Sequence, residues 1–163
     1  MRHLTQKDLN RLRAGLKLQP KPVPHEEISC KELFGYLNLL SLNRTRFLFS
    51  HIPNGGKRHK KVAADLQAMG VLSGMWDYWF RMPGLPTHWL EMKWGKNDLT
   101  HEQLVFGEYV RQCGDTTDVC WSAFEALEKL KLRGFIPDGA YTITGSLVII
   151  NQKLLAPNQI KGA

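Results

Sequence analysis

Long apolar runs, paired cysteines and internal repeats are all missing from this sequence of 163 residues. The apolar stretches, such as 147–150, are far shorter than the roughly 18 residues of a membrane-spanning helix. The three cysteines, Cys30, Cys113 and Cys120, stand at unrelated spacings, which argues against a zinc site or a disulfide framework and predicts small apolar core groups. Because the first residues also lack a signal-peptide pattern, we expect a cytoplasmic protein that uses no membrane.

Acidic residues are missing from one long stretch of the chain. Between residues 33 and 64 there are six basic residues and no Asp or Glu. The whole chain has 22 Lys and Arg against 15 Asp and Glu, a formal charge of +7. This uneven distribution indicates an anionic partner, although a solvated basic helix face would give the same composition.

Four basic residues crowd the start of a predicted helix over residues 57–69. They directly follow the Gly55-Gly56 turn and are Lys57, Arg58, Lys60 and Lys61. The first turn of a helix has free N–H groups and a positive dipole, so cations are unfavourable there unless an anion binds. The pattern therefore predicts a phosphate-binding segment.

The hydrophobic periodicity predicts an α/β domain preceded by a basic arm. In chain order the predicted elements are an arm with a short helix and a proline-rich connector (1–25), a helix (26–41), a strand (46–52), the basic helix (57–69), a hairpin (75–82 and 87–94), a helix capped by Thr100 and Gln103, a strand (117–121), a helix capped by Ser122 and Glu125, and a small hairpin (140–150). We expect a core domain over 26–133 and a C-terminal extension over 134–163.

Three charged residues, Asp77, Glu91 and Lys93, interrupt the apolar strands of the larger hairpin. Charges in such strands are costly unless they are paired or bind a metal ion. Since side chains alternate along a strand, Glu91 and Lys93 share one face. Asp77 and Glu91 are equidistant from Gly84, so a loop of three or five residues centred there would place them opposite each other. A four-residue loop would put Asp77 on the other face.

Two facing carboxylates repel each other, which makes a divalent cation a natural third component. Oxygen ligands favour Mg²⁺ or Mn²⁺ over zinc. Such an ion can activate water and neutralise charge on a phosphate, while Lys93 can stabilise the transition state of phosphodiester hydrolysis. The alternative is an ordinary ion pair on a solvent-facing sheet, which is common.

Four segments of the chain, taken in order, resemble one nuclease family: 52–58 (IPNGGKR), 69–77 (MGVLSGMWD), 90–93 (LEMK) and 99–103 (LTHEQ). This family is the VRR-NUC (virus-type replication-repair nuclease) branch of the PD-(D/E)XK nucleases, and the resemblance covers about residues 26–133. It implies an α/β fold with a restriction-endonuclease-like core, in which a mixed sheet containing an antiparallel hairpin is flanked by helices.

The resemblance also implies roles for individual residues. Asp77, Glu91 and the Met92 carbonyl would ligate Mg²⁺ or Mn²⁺, and Lys93 would be the catalytic lysine. The residues expected to bind DNA are Asn54, Lys57, Arg58, Lys60 and Lys61.

Many relatives place a glutamate of the first helix near the metal. Glu27 is the candidate ligand here, with Glu26 and Glu32 as alternatives, because the sequence does not settle how this helix is rotated.

Three further positions concern the surroundings of the site. Trp76 and Tyr78 replace the proline and the small residue that are usual beside the aspartate, and they either rim a cleft or fill the other face of the strand. Gln103 matches a downstream glutamine of the family but is also the third residue of the Thr100 capping box. We expect its amide to serve either the cap or the site, and not both.

The function expected from the resemblance is a Mg²⁺- or Mn²⁺-dependent DNA endonuclease with Asp77, Glu91, Lys93 and Gln103 as catalytic residues. Small relatives resemble junction-resolving nucleases that work as homodimers, so we expect branched, Holliday-junction-like DNA as substrate in a bacterial or phage-infected cell. The alternatives are a restriction-like or nicking nuclease on duplex DNA and a noncatalytic DNA-binding module that kept the fold.

Overall fold

The computed structural model describes residues 26–42, 46–52, 65–66 and 68–155. The predicted arm over 1–25, the Gly-Gly turn and the start of the basic helix lie outside these residues. Of the predicted helix over 57–69, the described residues Asp65, Leu66 and Ala68 are helical. No helix in the described part of the chain is long and apolar enough to cross a membrane.

Helices and strands follow one another along the described chain as the periodicity predicts. In order they are α1 (Glu26–Leu40), β1 (Leu48–His51), β2 (Tyr78–Arg81), β3 (His88–Met92), α2 (His101–Gln112), β4 (Thr116–Cys120), α3 (Ala123–Leu132), β5 (Tyr141–Thr144), β6 (Leu147–Ile150) and a short 3₁₀ helix, Gln152–Leu154. The strands β2 and β3 are shorter than the apolar runs that predicted them, so Asp77 and Lys93 lie just beyond the strand ends.

Within the described residues, the strands β1 to β4 form one mixed sheet in the order β1-β2-β3-β4. The pairs β1-β2 and β2-β3 are antiparallel, whereas β3 and β4 are parallel. A parallel pair requires a crossover connection, and α2 supplies it between β3 and β4. The fold is therefore mixed α/β, with a four-stranded mixed sheet flanked by helices.

The hairpin of β2 and β3 has the register that is centred on Gly84. Tyr78 lies opposite Leu90 in the sheet. Extending this pairing by one residue places Asp77 opposite Glu91, as a loop of odd length predicts. Gly84 has a φ of 82°, a left-handed conformation that side chains disfavour, so glycine suits the centre of this turn.

The two faces of the sheet pack against different helices. The even-numbered hairpin residues face α1 and α3, and the hydrophobic core formed there includes Leu33, Leu37, Tyr78, Phe80, Leu90, Met92, Leu127 and Leu130. The odd-numbered residues face α2, where the rings of Trp89 and Phe106 meet edge to face with 4.9 Å between centroids. Asp77, Glu91 and Lys93 are odd-numbered and therefore belong to the α2 side of the sheet.

The C-terminal hairpin of β5 and β6 packs into the same core as the rest of the fold. Its strands are joined by the predicted two-residue turn between Thr144 and Leu147. Tyr141 and Leu155 are buried in the cluster that contains α1 and α3. The Tyr141 hydroxyl also donates a hydrogen bond to Glu128 of α3 at 2.8 Å. The predicted boundary at residue 134 thus separates segments that share one hydrophobic core.

The two predicted capping boxes differ in detail. Thr100 and Gln103 exchange the expected pair of hydrogen bonds at the start of α2. Ser122 accepts from the Glu125 N–H at 3.1 Å, but the Glu125 carboxylate accepts from the Trp121 N–H rather than from that of Ser122. The prediction of a complete second capping box is therefore wrong: only the hydrogen bond to the Ser122 side chain forms, and the Glu125 carboxylate binds the N–H of the residue before the cap.

The three cysteines occupy different environments, so the prediction that all are core groups is wrong for one of them. Cys120 is buried in the core and Cys30 is half-buried. Cys113 is exposed because it is the C-cap of α2, beyond the face that packs on the sheet.

Candidate metal centre

Asp77 and Glu91 face each other at the end of the hairpin where β2 begins and β3 ends. The Asp77 N–H donates a hydrogen bond to Glu91 Oε2 at 3.2 Å, and Asp77 Oδ2 accepts one from the Met92 N–H at 2.9 Å. Both acids are buried, with 8% and 2% of their surfaces exposed. The register of the hairpin thus brings two carboxylates together away from bulk water.

This environment disfavours the charged forms of both carboxylates. Burial, followed by the negative charge of Glu91, raises the pKa of Asp77 to about 7. Burial also raises the pKa of Glu91, although the hydrogen bond and the charge of Lys93 act in the opposite direction. A divalent cation held between the two acids would offset the repulsion and favour their ionised forms.

Lys93 lies one residue beyond β3 and continues its alternation. Its N–H donates to the Cys120 carbonyl at 2.8 Å, which extends the ladder to β4. Its Nζ is 2.9 Å from Glu91 Oε1, and 7% of the residue is exposed. The ion pair that the alternative expects is thus present, but it is not solvent-facing, because α2 covers this face and both partners are buried.

Gln103, in the first turn of α2, contacts three groups at once. Its Oε1 accepts hydrogen bonds from Lys93 Nζ at 2.7 Å and from the Thr100 N–H at 3.0 Å, and its Nε2 donates to Glu91 Oε1. Ammonium and backbone N–H groups can only donate, which orients the amide oxygen toward them. The expectation that Gln103 serves either the cap or the site is wrong, because a carbonyl oxygen has two lone pairs and the amide nitrogen has its own donors.

Trp76 supports the helix that carries Gln103, a role that the sequence did not reveal. Its buried ring donates from Nε1 to the Gln103 carbonyl oxygen at 2.9 Å. The ring also lies against the backbone of α2, because a Cβ added to Gly107 would be 2.7 Å from Trp76 Cζ2. The signal available in the sequence was the tryptophan itself, directly before Asp77. Trp76 therefore fills the space between the sheet and α2 rather than rimming a cleft, whereas Tyr78 is buried and also lines a cavity on the α1 side of the sheet.

The first helix brings Glu26 toward the carboxylates. The charge of Glu26 contributes to the raised pKa of Asp77. Glu27 accepts a hydrogen bond from Lys31 at 2.6 Å, and 70% of its side chain is exposed. The charge of Glu32 acts on Tyr36 instead, whose pKa it raises after burial. Glu26 therefore acts electrostatically on Asp77, and Glu27 remains the predicted ligand of the first helix.

The donor set fits Mg²⁺ or Mn²⁺. Two carboxylates and the Met92 carbonyl offer oxygen ligands, and Mg²⁺ keeps several waters when it binds proteins. Across the described ranges, no three His, Cys, Asp or Glu side chains are grouped as a metal site.

The predicted DNA-binding residues lie outside the described part of the chain; they are Asn54, Lys57, Arg58, Lys60 and Lys61. The described chain leads into this segment from Ile52. The Ile52 N–H donates to the Asp77 carbonyl at 2.7 Å, so Ile52 is adjacent to the candidate centre.

Neither a protein-family model, a curated protein nor a solved structure matches this chain. The resemblance to the VRR-NUC nucleases therefore depends on the four sequence segments alone. The chemistry of the site is accordingly argued from its own geometry.

Proposed function

We propose that this chain is a Mg²⁺- or Mn²⁺-dependent DNA endonuclease with a restriction-endonuclease-like, PD-(D/E)XK core of the VRR-NUC type. The observation that carries the proposal is the convergence of Asp77, Glu91 and Lys93 at one end of the hairpin. The mixed sheet with helices on both faces supports the assignment of the core.

Asp77, Glu91 and the Met92 carbonyl would hold the divalent ion. When bound, the ion supplies Lewis-acid chemistry that activates water and neutralises charge on a phosphate oxygen. The contribution of the chain is to place the two carboxylates in advance, through the N–H groups of Met92 and Asp77. Preorganised groups of this kind need little reorganisation during the reaction.

Lys93 would act directly on the substrate. An ammonium group has three N–H donors, and two of them are directed at Glu91 and Gln103. The remaining donor can hydrogen-bond a phosphate oxygen or the attacking water, which stabilises the negative charge that develops in the transition state. Gln103 holds the ammonium group and the Glu91 carboxylate in one geometry.

DNA is the proposed substrate because of the charge distribution. The chain carries a formal charge of +7, and residues 33–64 contain no acidic residue. Positive charge of this kind favours binding to the phosphate backbone in a salt-dependent manner. The preference for branched DNA and the homodimeric state follow from the resemblance alone and form part of the same proposal.

Cleavage of supercoiled plasmid DNA and of a four-way junction tests the proposal. The wild-type protein should cleave with Mg²⁺ or Mn²⁺ and be inactive in EDTA. Lys93→Ala should lower the cleavage rate by about 100-fold or more, as removal of a group that stabilises transition-state charge does, and should leave DNA binding nearly unchanged. Lys96→Ala is the matched control, because Lys96 is exposed three residues further along the chain and should be dispensable.

Three other results of these assays would contradict the mechanism or favour one of the alternative functions. Unchanged cleavage by Lys93→Ala would refute the mechanism. Salt-sensitive DNA binding without cleavage in either metal would indicate the noncatalytic module. Equal rates on duplex and junction would favour the restriction-like or nicking alternative over a structure-specific nuclease.

A further inference from the structure

A cavity of about 420 Å³ lies on the α1 side of the sheet, between α1 and the point where β1 ends and β2 begins. Its volume is within the roughly 300–1,000 Å³ that is typical of ligand pockets. The side chains that line it are Glu27, Cys30, Lys31, Phe34, His51 and Tyr78. Apart from Glu27, the predicted site uses none of them.

Aromatic rings form much of the wall of this cavity. The rings of His51 and Tyr78 are 4.8 Å apart between centroids. Phe34 projects from α1 with 44% of its surface exposed. Burial lowers the pKa of His51, which favours the neutral imidazole in this wall. Such walls suit a flat ligand with π faces.

Charged groups stand at the rim of the cavity. The Lys31 ammonium group and the Glu27 carboxylate form an ion pair at 2.6 Å on the exposed side of α1. A carboxylate can accept a hydrogen bond from the exocyclic amino group of a base, and a lysine can contact phosphate. An aromatic wall below a rim with both charges matches the chemistry of a nucleotide.

The cavity is near Asp77, at the same end of the sheet. Tyr78 follows Asp77 in the chain, and its hydroxyl donates to the Cys30 carbonyl at 3.1 Å. The charge of Asp77 acts on Cys30, which places this wall within electrostatic range of the candidate centre. A ligand in the cavity would therefore lie on the α1 side of the sheet end, within electrostatic range of Asp77.

We propose that the cavity binds one unpaired nucleobase of the DNA strand, next to the phosphate that is cleaved, with the Phe34 ring as its stacking platform. Bases inside a duplex hide their faces in the stack, so only an unpaired or extruded base can contact aromatic side chains in this way. The inference rests on the proposed nuclease function and names its substrate class, which is DNA with an unpaired nucleotide beside the cleaved bond.

Binding of a fluorescein-labelled forked duplex in EDTA tests the cavity separately from cleavage. Phe34→Ala should weaken binding by about 5- to 150-fold, the loss expected for one stacked base, and Phe34→Tyr should retain most of the affinity. The slope of log K against log salt concentration should not change, because stacking neutralises no phosphate. Leu39→Ala is the matched control, since Leu39 is 50% exposed on the same helix but does not line the cavity.

Abasic substitutions in the single-stranded arms identify the base. At one position near the fork, an abasic site should weaken binding by the wild-type protein and leave binding by Phe34→Ala unaffected, as interacting partners require in a double-mutant cycle. Equal losses in both proteins at every position would overturn the inference. Wild-type affinity of Phe34→Ala, or no binding of the fork by the wild-type protein, would also overturn it.

The two proposals fail in distinguishable ways. Base-dependent binding through Phe34 without any metal-dependent cleavage would remove the nuclease function and leave a site for an unpaired base. Cleavage that depends on Lys93 but not on Phe34 or on any single base would support the nuclease function and exclude the base-binding site.

Discussion

The carboxylates of Asp77 and Glu91 are each held by a backbone N–H group of the opposite strand segment. Asp77 Oδ2 accepts from the Met92 N–H at 2.9 Å, and Glu91 Oε2 accepts from the Asp77 N–H at 3.2 Å. The sheet sets the positions of these donors, so the approach of the two acids is a property of the strand register. A slip of one residue would turn one of the acids to the other face of the sheet.

Asp77→Asn should stabilise the metal-free protein. The pKa of Asp77 is raised from 3.8 to about 7, so the folded state binds more protons than the unfolded state between these values. Stability is therefore lost as pH rises through this window, by at most about 4 kcal/mol at 1.36 kcal/mol per pH unit. Asn removes the charge and keeps an oxygen for the Met92 N–H. Urea unfolding in EDTA at pH 8 should show a gain of about 1–4 kcal/mol that shrinks toward pH 4.

Magnesium should make the wild-type protein more stable relative to Asp77→Asn, the opposite of the effect expected in EDTA. A ligand that binds only the folded state raises its stability, so MgCl₂ should raise the Tm of the wild-type protein. It should leave the Tm of Asp77→Asn almost unchanged, because one of the two carboxylate ligands is missing. Equal shifts in both proteins, measured by differential scanning calorimetry, would place the magnesium site elsewhere.

Thr100→Ala and Gln103→Leu should separate the helix cap from the site. Thr100→Ala removes the acceptor of the Gln103 N–H and should destabilise the fold by about 1 kcal/mol while cleavage stays within a few-fold of wild type. Gln103→Leu also removes the contacts with Lys93 and Glu91, so it should cost about 2–4 kcal/mol and lower cleavage at least about tenfold. Urea unfolding and plasmid cleavage provide the two readouts. Equal loss of cleavage in both variants would assign the effect to the cap.

Trp76 and Gly107 should be energetically coupled. Gly107→Ala places a methyl group against the tryptophan ring and should destabilise the protein by about 1–3 kcal/mol, although alanine otherwise favours a helix. In a Trp76→Phe background the clashing Cζ2 atom is gone, so the same change should cost less or become favourable. A double-mutant cycle by urea unfolding measures the coupling, and additive effects would contradict the packing of this ring on α2.

His88 is a buried titratable group on β3 at the α1 and α3 side of the sheet. Its Nδ1 is 2.9 Å from Thr116 Oγ1, and its Nε2 is 3.7 Å from Asp118 Oδ2. Burial lowers the pKa of His88 to about 4; Arg133 and Lys129 act in the same direction, and Asp118 acts against them. The neutral imidazole is therefore the form that the core accommodates.

The pH dependence of stability should report on His88. Because its folded pKa lies below the ordinary value of 6.5, the unfolded state takes up more protons between pH 6.5 and about 4. The stabilising contribution is complete above pH 6.5 and is lost as pH falls toward 4, with an upper limit of about 3 kcal/mol. Since Asp77 acts in the opposite direction, the measurement is the difference between wild type and His88→Gln in urea unfolding across this range. Parallel curves would contradict the lowered pKa.

The geometry of the hairpin could be predicted because it depends on rules that act over a few residues. Alternation along β3 places Glu91 and Lys93 on one face, and equal distances from Gly84 place Asp77 opposite Glu91. The observed pairing of the strands confirms this register. The start of α2 was predictable for the same reason, since a capping box is a local pattern.

Other features of the candidate site depend on how distant elements pack, and the sequence left them open or predicted them wrongly. The rotation of α1 is one of them: the charge of Glu26 acts on Asp77, Glu27 stays the predicted ligand, and no local pattern specifies which of the two faces the site. Gln103 reaches both the cap and the site because α2 crosses directly over the end of β3.

Local patterns in the chain were therefore sufficient to place most of the described helices and strands, though not their exact ends, and to identify the side chains that share a strand face, because periodicity and capping operate between near neighbours. Tertiary packing determined the features that those patterns did not specify. These are the burial of Lys93 beneath α2, the contact of the Trp76 ring with Gly107, and the cavity lined by Tyr78. Each of these depends on the contact of segments that are distant in the chain, and such contacts exist only once the sheet and its helices have assembled.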